Sequence, residues 1–370
     1  DKLAQNPVSN IAEALQGQLP GVTVTSQDGR PGASMSIRVR GGGSITQSND
    51  PLFIVDGVQV SSIDDIPADN IESIDVLKDA ASTAIYGARG ANGVILITTK
   101  NAKEGKVNVK YNMYFRVKEK PETYKQESAY DYVLRNWSYA TAYNAKDGQD
   151  IAKYFGVGSE NGNHLEEYKS MGTHNYQDDL LGSSHSWNHD LSISGGTERT
   201  KYYATLNYIN DKGSLNNTGF RRWNGNVKLT QDINKKLKWN LDARYSEMQF
   251  KGAKFEYATC SYNFRPIDTP LGEDDGSLLG LGDSHVSQSF NPVSIYDNYT
   301  SIHTRNRMRA NNSLIWTPIK GLTGKTELTL GRNWSEQKTW DGGFEEGYSH
   351  AKLKKSDGYH VKWTSTINYN

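Results

Sequence analysis

Hydrophobic and polar side chains alternate over long stretches of the chain after residue 105. Val107, Val109, Tyr111, Met113 and Phe115 alternate with polar or charged neighbours. Similar alternation occurs at 187–195, 201–210, 222–232, 237–245, 304–317, 322–335 and 359–369. A period of two places successive side chains on opposite faces of a β-strand. The pattern therefore predicts eight strands, each with one apolar face and one polar face.

The connections between these predicted strands alternate in length. Long connections are expected at 118–186, 249–303 and 337–357, a medium one at 211–220, and short ones at 195–200, 233–236 and 318–321. Outer-membrane barrels have short periplasmic turns and longer extracellular loops, whereas a soluble sandwich has no reason to keep this order. The order therefore favours a membrane barrel, with the longer connections outside the cell.

The cost of placing a charge in lipid predicts which strand face points inward. A Lys or Arg on the lipid side near the bilayer midplane costs about 2–4 kcal/mol. Lys110, Lys238, Arg244 and Lys362 lie on the polar faces of their strands. We therefore expect these four side chains to face the lumen and the aromatic and aliphatic set to face outward.

Composition agrees with a barrel and excludes several other classes. Mean hydropathy is −0.72, yet the chain holds 22 Tyr, 9 Phe and 8 Trp, which is far from the composition of a disordered protein. Lys plus Arg equals Asp plus Glu at 42 each, so no global charge favours nucleic acid. No apolar run approaches the ~20 residues of a membrane-spanning helix. The single cysteine, Cys260, excludes an internal disulfide framework.

The first hundred residues follow a different pattern, which predicts a compact α+β domain. A helix is expected from Asn6 to Gly17 and a short strand at 22–25, followed by strands at 35–39, 52–55, 58–60, 71–77 and 93–100 and by a helix at 80–86 that Asp79 caps. Asp56-Gly57 predicts a tight hairpin turn, since these residues accept positive φ. The segment 93–100 is apolar on both faces, as in a strand that is covered from both sides.

Five blocks of this region, in order and at matching spacing, resemble the plug domain of TonB-dependent outer-membrane transporters, and within them the SusC/RagA branch. The blocks are Ile37-Arg38-Val39-Arg40-Gly41, 51–57 (PLFIVDG), 71–79 (IESIDVLKD), 84–87 (AIYG) and 91–100 (ANGVILITTK). The resemblance implies a plug domain at 1–104, followed at 105–370 by the N-terminal part of an antiparallel transmembrane β-barrel with long extracellular loops.

Eight strands cannot enclose a domain of this size, because plugged barrels use 22 strands. We therefore expect the chain to be the first part of a larger protein, an incomplete barrel with about eight of those strands. The resemblance implies localisation in the outer membrane as a multi-pass barrel, and TonB-dependent import of a large nutrient, foremost a glycan or oligosaccharide and next a peptide. It implies TonB and a SusD-like surface lipoprotein as partners, in a dimer of transporter–lipoprotein pairs. It implies no cofactor.

Ligand contacts are expected on the outward loops of the plug and on a long barrel loop. If the Asp56-Gly57 turn lies at the periplasmic end, the plug loops 41–51 and 61–70 form the floor of an external cavity. Their polar residues are Ser44, Gln47, Asn49, Ser61, Asp64 and Asp65. The segment 122–143 predicts a helix with an aromatic side that includes Trp137 and Tyr139. Those rings either pack the loop onto the barrel mouth or stack on a sugar or peptide.

Two arginines on one face of a plug strand suggest a lock. Arg38 and Arg40 would be costly if buried without partners. We expect them either to pair with carboxylates of the plug or inner barrel wall as a releasable lock, or to be solvated in a wet lumen.

Catalytic and metal sites find little support in the sequence. His185 and His189 lack a zinc motif, the carboxylates 273–275 lack a calcium loop, and Gly324-Lys325-Thr326 lies in a strand. No pair of carboxylates stands out for glycoside hydrolysis. An enzyme is therefore not expected, and the competing class is an outer-membrane receptor or adhesin that does not transport.

Overall fold

The structure is a computed structural model that describes residues 11–17, 20–26, 29–39, 49–143, 145–158, 162–252, 266–267, 271–272, 292–342 and 349–369. Its N-terminal elements are α1 (Ile11–Leu15), β1 (Val22–Ser26), β2 (Met35–Val39), β3 (Leu52–Val55), β4 (Val58–Val60), β5 (Ile71–Leu77), α2 (Ala80–Thr83) and β6 (Val94–Thr99). The later elements are β7 (Gly105–Lys118), α3 (Ala129–Tyr143), α4 (Ala145–Phe155), α5 (Tyr176–Leu180), β8 (Ser184–Gly196), β9 (Thr200–Lys212), β10 (Gly219–Asn234), β11 (Leu237–Gly252), α6 (Pro292–Asp297), β12 (Tyr299–Trp316), β13 (Leu322–Asp341) and β14 (His350–Tyr369).

A four-stranded sheet in the order β4-β3-β6-β5 forms the centre of the N-terminal unit. β6 runs parallel to β3 and antiparallel to β5, and Val94, Ile95 and Ile97 in it are almost completely buried. The prediction of a central strand covered on both faces is confirmed. Ile11 and Leu15 of α1 join the same apolar core, while the start of the predicted helix lies outside the described residues.

The Asp56-Gly57 hairpin is confirmed by the backbone angles. Asp56 has φ 50° and Gly57 has φ 82°, so both central residues are left-handed, as a type I′ turn requires. The turn joins β3 to β4 and leaves the Asp56 side chain at the end of the sheet, beside Thr99 of β6.

The helix after Asp79 is shorter than predicted. α2 ends at Thr83 and continues as a 3₁₀ segment, Ala84–Gly90, which is kinked at Gly87 with φ 60°. Asp79 makes no side-chain capping hydrogen bond, so that detail of the prediction was wrong. Instead, the hydroxyls of Ser82 and Thr83 donate to the Asp79 carbonyl, which is a local alternative to capping.

All eight predicted later strands are present and form one antiparallel sheet in chain order from β7 to β14. They range from 13 to 20 residues, which exceeds the roughly 9–11 residues that a tilted strand needs to span a bilayer. Their first strand begins at Gly105. The domain boundary between 104 and 105 stays a prediction.

The two faces of the large sheet differ as the alternation predicts. In β9, Tyr203, Thr205 and Asn207 are buried on the face that packs against the N-terminal unit, whereas Leu206 between them is 49% exposed. Strand register places the four predicted inward cations, Lys110, Lys238, Arg244 and Lys362, on that same inner face.

The order of connection lengths is confirmed with one correction. The segments 197–199, 235–236 and 317–321 are short, and 119–183 and 253–298 are long. The last connection, predicted as 337–357, spans only 342–349 because β13 and β14 continue to pair beyond the expected strand ends. Within this extension, Glu336 of β13 forms an ion pair across the two strands with Lys355 of β14, at 3.2 Å.

The first long connection contains a small core of its own. α3 packs on α4 and on the 3₁₀ segment His164–Lys169, and Val133, Phe155 and Tyr168 are almost completely buried there. The predicted helix at 122–143 is present from Ala129.

If the two faces are assigned correctly, a lysine should destabilise the protein on the outward face of β13 and not on its inner face. Leu330→Lys puts a charge on the outward face, where Leu330 is 43% exposed, and should lower the free energy of unfolding from a lipid bilayer by about 2–4 kcal/mol if the site is near the midplane. Asn333→Lys, on the inner face of the same strand, is the control and should have little effect. Denaturant titration of the full-length protein in lipid vesicles measures both. Equal losses would contradict the assignment.

Candidate functional site

The side chain of Asp56 joins the N-terminal unit to the inner face of the large sheet. Its carboxylate accepts hydrogen bonds from the Thr99 amide at 2.8 Å and the Thr99 hydroxyl at 2.7 Å. From the sheet, the Arg244 guanidinium donates to the same carboxylate, and the Lys228 ammonium lies 3.2 Å away. Asp242 holds Arg244 from the other side at 2.8 Å. This group of charges fixes the end of β6 against β10 and β11.

Burial and neighbouring cations act in opposite directions on Asp56. Burial disfavours the charged carboxylate, but Arg244, Lys228 and the Thr99 hydrogen bonds outweigh it and hold the pKa of Asp56 below its ordinary value. The carboxylate is therefore ionised at neutral pH. Its stabilising contribution is present above the ordinary pKa of an aspartate and is lost as the pH falls through the lowered value.

A second set of contacts comes from the segment after β4. Asp65 forms an ion pair with Arg307 of β12 at 3.1 Å. The Asp64 carbonyl accepts a hydrogen bond from Arg222 of β10 at 2.8 Å, and the Asp65 carbonyl accepts one from Asn224. All of these contacts are polar and reversible.

These two contact regions lie at different heights along the strands. Arg222 pairs in register with Met248, close to the end of β11 that enters the long connection 253–298. Lys228, which reaches Asp56, lies nearer to the short connection 235–236. The segment with Asp64 and Asp65 is therefore closer to the long-loop end of the sheet than the Asp56 turn is.

A cavity of about 480 Å³ lies between the N-terminal unit and the large sheet. Residues that line it include Ser61, Asp65, Arg244, Arg309, His360 and Lys362. Its volume is within the range of about 300–1,000 Å³ that small-ligand sites occupy. Two of the predicted floor residues, Ser61 and Asp65, are among its lining residues, and Asp64 is adjacent.

Several buried polar atoms around this cavity have no hydrogen-bond partner among the protein residues that the structure describes. They are Asn70 Oδ1, Asn224 Oδ1, Asn226 Oδ1 and Ser246 Oγ. All four belong to residues that line the cavity, so they are polar groups available to water or to a ligand there.

The other predicted ligand residues have varied positions. Asn49 is half-buried, whereas Ser44 and Gln47 lie outside the described residues. Trp137 packs partly buried against the core of the first long connection. Tyr139 is 53% exposed and stacks on Tyr143, with ring centroids 6.4 Å apart and planes 4° apart. A role of these residues in ligand binding stays a prediction.

The structure describes only one of the two arginines of the predicted lock. Arg38 of β2 is exposed, and no carboxylate of the described residues lies within ion-pair distance of it. Arg40 lies outside the described residues. The lock stays a prediction, and the ion pairs that join the two parts of the chain are those of Asp56 and Asp65.

Metal chemistry and helical membrane spans find no support in the part of the chain that the structure describes. There, no three His, Cys, Asp or Glu side chains are grouped to hold a metal ion. No helix in those same ranges has the length and apolar character needed to cross a membrane.

Sequence reasoning did not predict that Asp56 pairs with cations of the large sheet. The Asp56-Gly57 turn already explained why an aspartate occurs there, so no second role was sought. The available signal was indirect. Arg244 was expected inside the lumen, and an inward arginine needs a carboxylate. Sequence alone could not tell which carboxylate reaches it.

A family model described as "TonB-dependent Receptor Plug Domain" matches residues 1–94. TonB-dependent receptor P26 of Formosa agariphila is 35% identical over 294 residues, which cover 78% of this chain and 28% of the relative. TonB-dependent receptor SusC of Bacteroides thetaiotaomicron is 32% identical over 256 residues, 66% of this chain and 23% of the relative. The chain thus spans less than a third of the length of these relatives.

A solved structure of the RagAB peptide importer in its open-open state has the same fold. It superposes with a TM-score of 0.77 at 24% identity and covers 100% of this chain and 44% of that one. The N-terminal unit therefore corresponds to a plug, and the large sheet is part of a barrel wall. Together, the plug match, the identity with SusC and the fold place the chain in the family of SusC/RagA-type TonB-dependent transporters, which are β-barrel proteins of the outer membrane.

Proposed function

We propose that the protein imports a large nutrient across the outer membrane in a TonB-dependent way, with the plug as its gate. The observation that carries the proposal is the ion-paired contact of the plug with the lumen face of the wall through Asp56 and Asp65. A gate must close firmly at rest and yet open without breaking covalent bonds. Hydrogen-bonded ion pairs meet both requirements, since water replaces each partner once the plug moves.

Gating requires at least two plug arrangements that differ in affinity for the ligand or for TonB. The resting arrangement is held by the charges around Asp56 and by the ion pair of Asp65 with Arg307. Water can replace each partner in these polar contacts, so a mechanical pull by TonB can separate the plug from the wall.

The substrate that we propose is a glycan or oligosaccharide, with a peptide as the alternative. Identity with SusC is compatible with the first and likeness to the RagAB peptide importer with the second. We further propose a SusD-like surface lipoprotein and TonB as partners, in a dimer of transporter–lipoprotein pairs. No covalent chemistry is proposed.

Within this scheme, the plug floor and the loop aromatics contact the ligand. The position of Asp64 and Asp65 toward the long-loop end supports an outward-facing floor. Tyr139 and Tyr143 offer parallel, exposed rings of the kind on which sugars stack. A ligand-bound structure tests this proposal, and contacts confined to the barrel wall would refute it.

The import proposal predicts energy-dependent accumulation of ligand. Cells that express the full-length protein should accumulate one member of a panel of labelled oligosaccharides and peptides, and loss of TonB or of the proton gradient should abolish accumulation. The reason is that a closed plug leaves no passive route for a large solute. Binding at the cell surface without accumulation would instead favour a receptor or adhesin.

Replacement of Asp56 predicts a loosened gate. Asp56→Asn keeps a residue that tolerates the left-handed turn but removes the charge that Arg244 and Lys228 share. Docking of the plug should weaken by about 1–3 kcal/mol, which raises the undocked fraction by roughly one to two orders of magnitude. Protease accessibility of the plug in the full-length protein measures this fraction. Asp75→Asn, at an exposed plug position, is the matched control.

The same pair of variants gives a pH dependence. In the unmodified protein, plug docking should be constant at neutral pH and weaken in acid, below the ordinary aspartate pKa of about 3.9, as Asp56 takes up a proton. Asp56→Asn should reduce the amplitude of this acid transition, whereas Asp75→Asn should leave it unchanged. An unchanged transition in Asp56→Asn would assign it to another group.

A further inference from the structure

The inner face of the wall is strongly basic where the plug rests on it. Three neighbouring rows of cross-strand pairs run from Asn224, Asn226 and Lys228 of β10 across to β14. On the inner face these three rows carry one carboxylate, Asp242, and five cations: Lys228, Arg244, Arg307, Arg309 and Lys362. We call these five cations the basic wall. The chain as a whole has no net charge, so the excess is a local feature.

Strand register shows how closely the cations are placed. Arg309 is directly opposite Arg244, and directly opposite side chains on one sheet face have Cβ atoms only about 4.5–5.5 Å apart. Like charges in this arrangement repel one another. On the other side of Arg309 stands Gly331, which has no side chain, and His360 is its direct partner on β14.

The plug neutralises only part of this charge. Asp56 pairs with Arg244 and Lys228, and Asp65 pairs with Arg307. Among the described residues, no carboxylate lies within ion-pair distance of Arg309 or Lys362, and both line the cavity between plug and wall. Displacement of the plug removes its two carboxylates and, within these rows of the described strands, leaves five cations against Asp242.

The neighbouring polar groups complement these cations. Asn224 and Asn226 line the cavity, and an amide oxygen accepts hydrogen bonds from hydroxyl groups. Arginine and lysine form strong, charge-assisted hydrogen bonds with carboxylates. A surface with both properties suits a molecule that carries hydroxyls and acidic groups together, which describes an acidic carbohydrate better than a neutral one.

We propose that the basic wall is the transit surface for an acidic oligosaccharide and that plug carboxylates Asp56 and Asp65 occupy it at rest in place of the cargo's acidic groups. The proposal rests on the proposed import function and adds the charge class of the substrate. Opening of the plug thus exposes binding groups for the cargo at the moment when the path opens. Once the plug carboxylates have left, the repulsion between Arg244 and Arg309 favours binding of an acidic group of the cargo beside them.

The experiment measures block of ion current through the full-length protein in planar bilayers, with urea on the plug side to displace the plug. Three probes are compared: tetragalacturonate, a capped tetraglutamate with the same number of carboxylates, and neutral maltotetraose. Tetragalacturonate should block at concentrations at least about tenfold lower than either of the others. Equal or tighter block by maltotetraose would overturn the charge assignment, and equal or tighter block by tetraglutamate would overturn the carbohydrate assignment.

Variants show whether the basic wall is responsible. Arg309→Gln combined with Lys362→Gln should weaken block by tetragalacturonate about tenfold and shift the reversal potential in a KCl gradient toward cation selectivity. Arg309→Lys combined with Lys362→Arg keeps both charges and should retain block. Arg332→Gln removes an outward cation of β13, which stacks on Trp334, and is the matched control. Unchanged block in the first variant would overturn the proposal.

The current measurement needs no energised import. The current block can therefore be interpreted even if the protein does not import, because a receptor that does not transport can also have a basic wall. Conversely, energy-dependent uptake together with current block that does not depend on Arg309 and Lys362 rejects only the inference about acidic cargo.

Discussion

The position of the plug against the wall depends on the ion pairs of the Asp56 carboxylate with Arg244 and Lys228. Asp56 belongs to a two-residue turn, so its position is fixed by the hairpin β3–β4 and by Thr99 at the end of β6. It also binds Arg244 and Lys228 from two neighbouring wall strands. A single anion therefore connects the register of the plug sheet to that of the wall. Because the contact is electrostatic, it specifies one resting position and remains reversible.

The wall follows from a different constraint, namely that a charge is costly on the lipid side near the bilayer midplane and is solvated in the lumen. The period-two pattern separates the two sets of side chains, and the inner face can then accumulate cations that a soluble sheet would present to solvent. Arg307 and Arg309 show the result, since they follow each other on the inner face of β12 while Met308 between them is 52% exposed on the outer face. The same alternation that makes the wall stable in a membrane thus supplies a charged path through it.

Much of this arrangement could be predicted from the sequence because it is local. Alternation indicated all eight wall strands, and Asp56-Gly57 indicated its hairpin, since both are properties of consecutive residues. The full length of β13 and β14 could not be predicted, because the pairing of Glu336 with Lys355 depends on the register between the two strands. The wall partners of Asp56 and Asp65 were missed for the same reason, as Lys228, Arg244 and Arg307 are more than a hundred residues away in sequence. The cavity is lined by plug residues, by Arg309 of β12 and by Lys362 of β14, so it could be recognised only once these distant segments were placed together.

The central claim is that the plug must leave the basic wall for import to occur, and a reversible tether tests it most directly. In the full-length protein without native cysteines, Asp65→Cys and Arg307→Cys would be joined by a short, reducible bis-methanethiosulfonate cross-linker. The control joins Arg307→Cys to Asn333→Cys, which are directly opposite within the wall. Energy-dependent uptake should stop in the plug–wall tether, return after reduction, and continue in the control. Full uptake with the plug–wall tether intact would contradict the account.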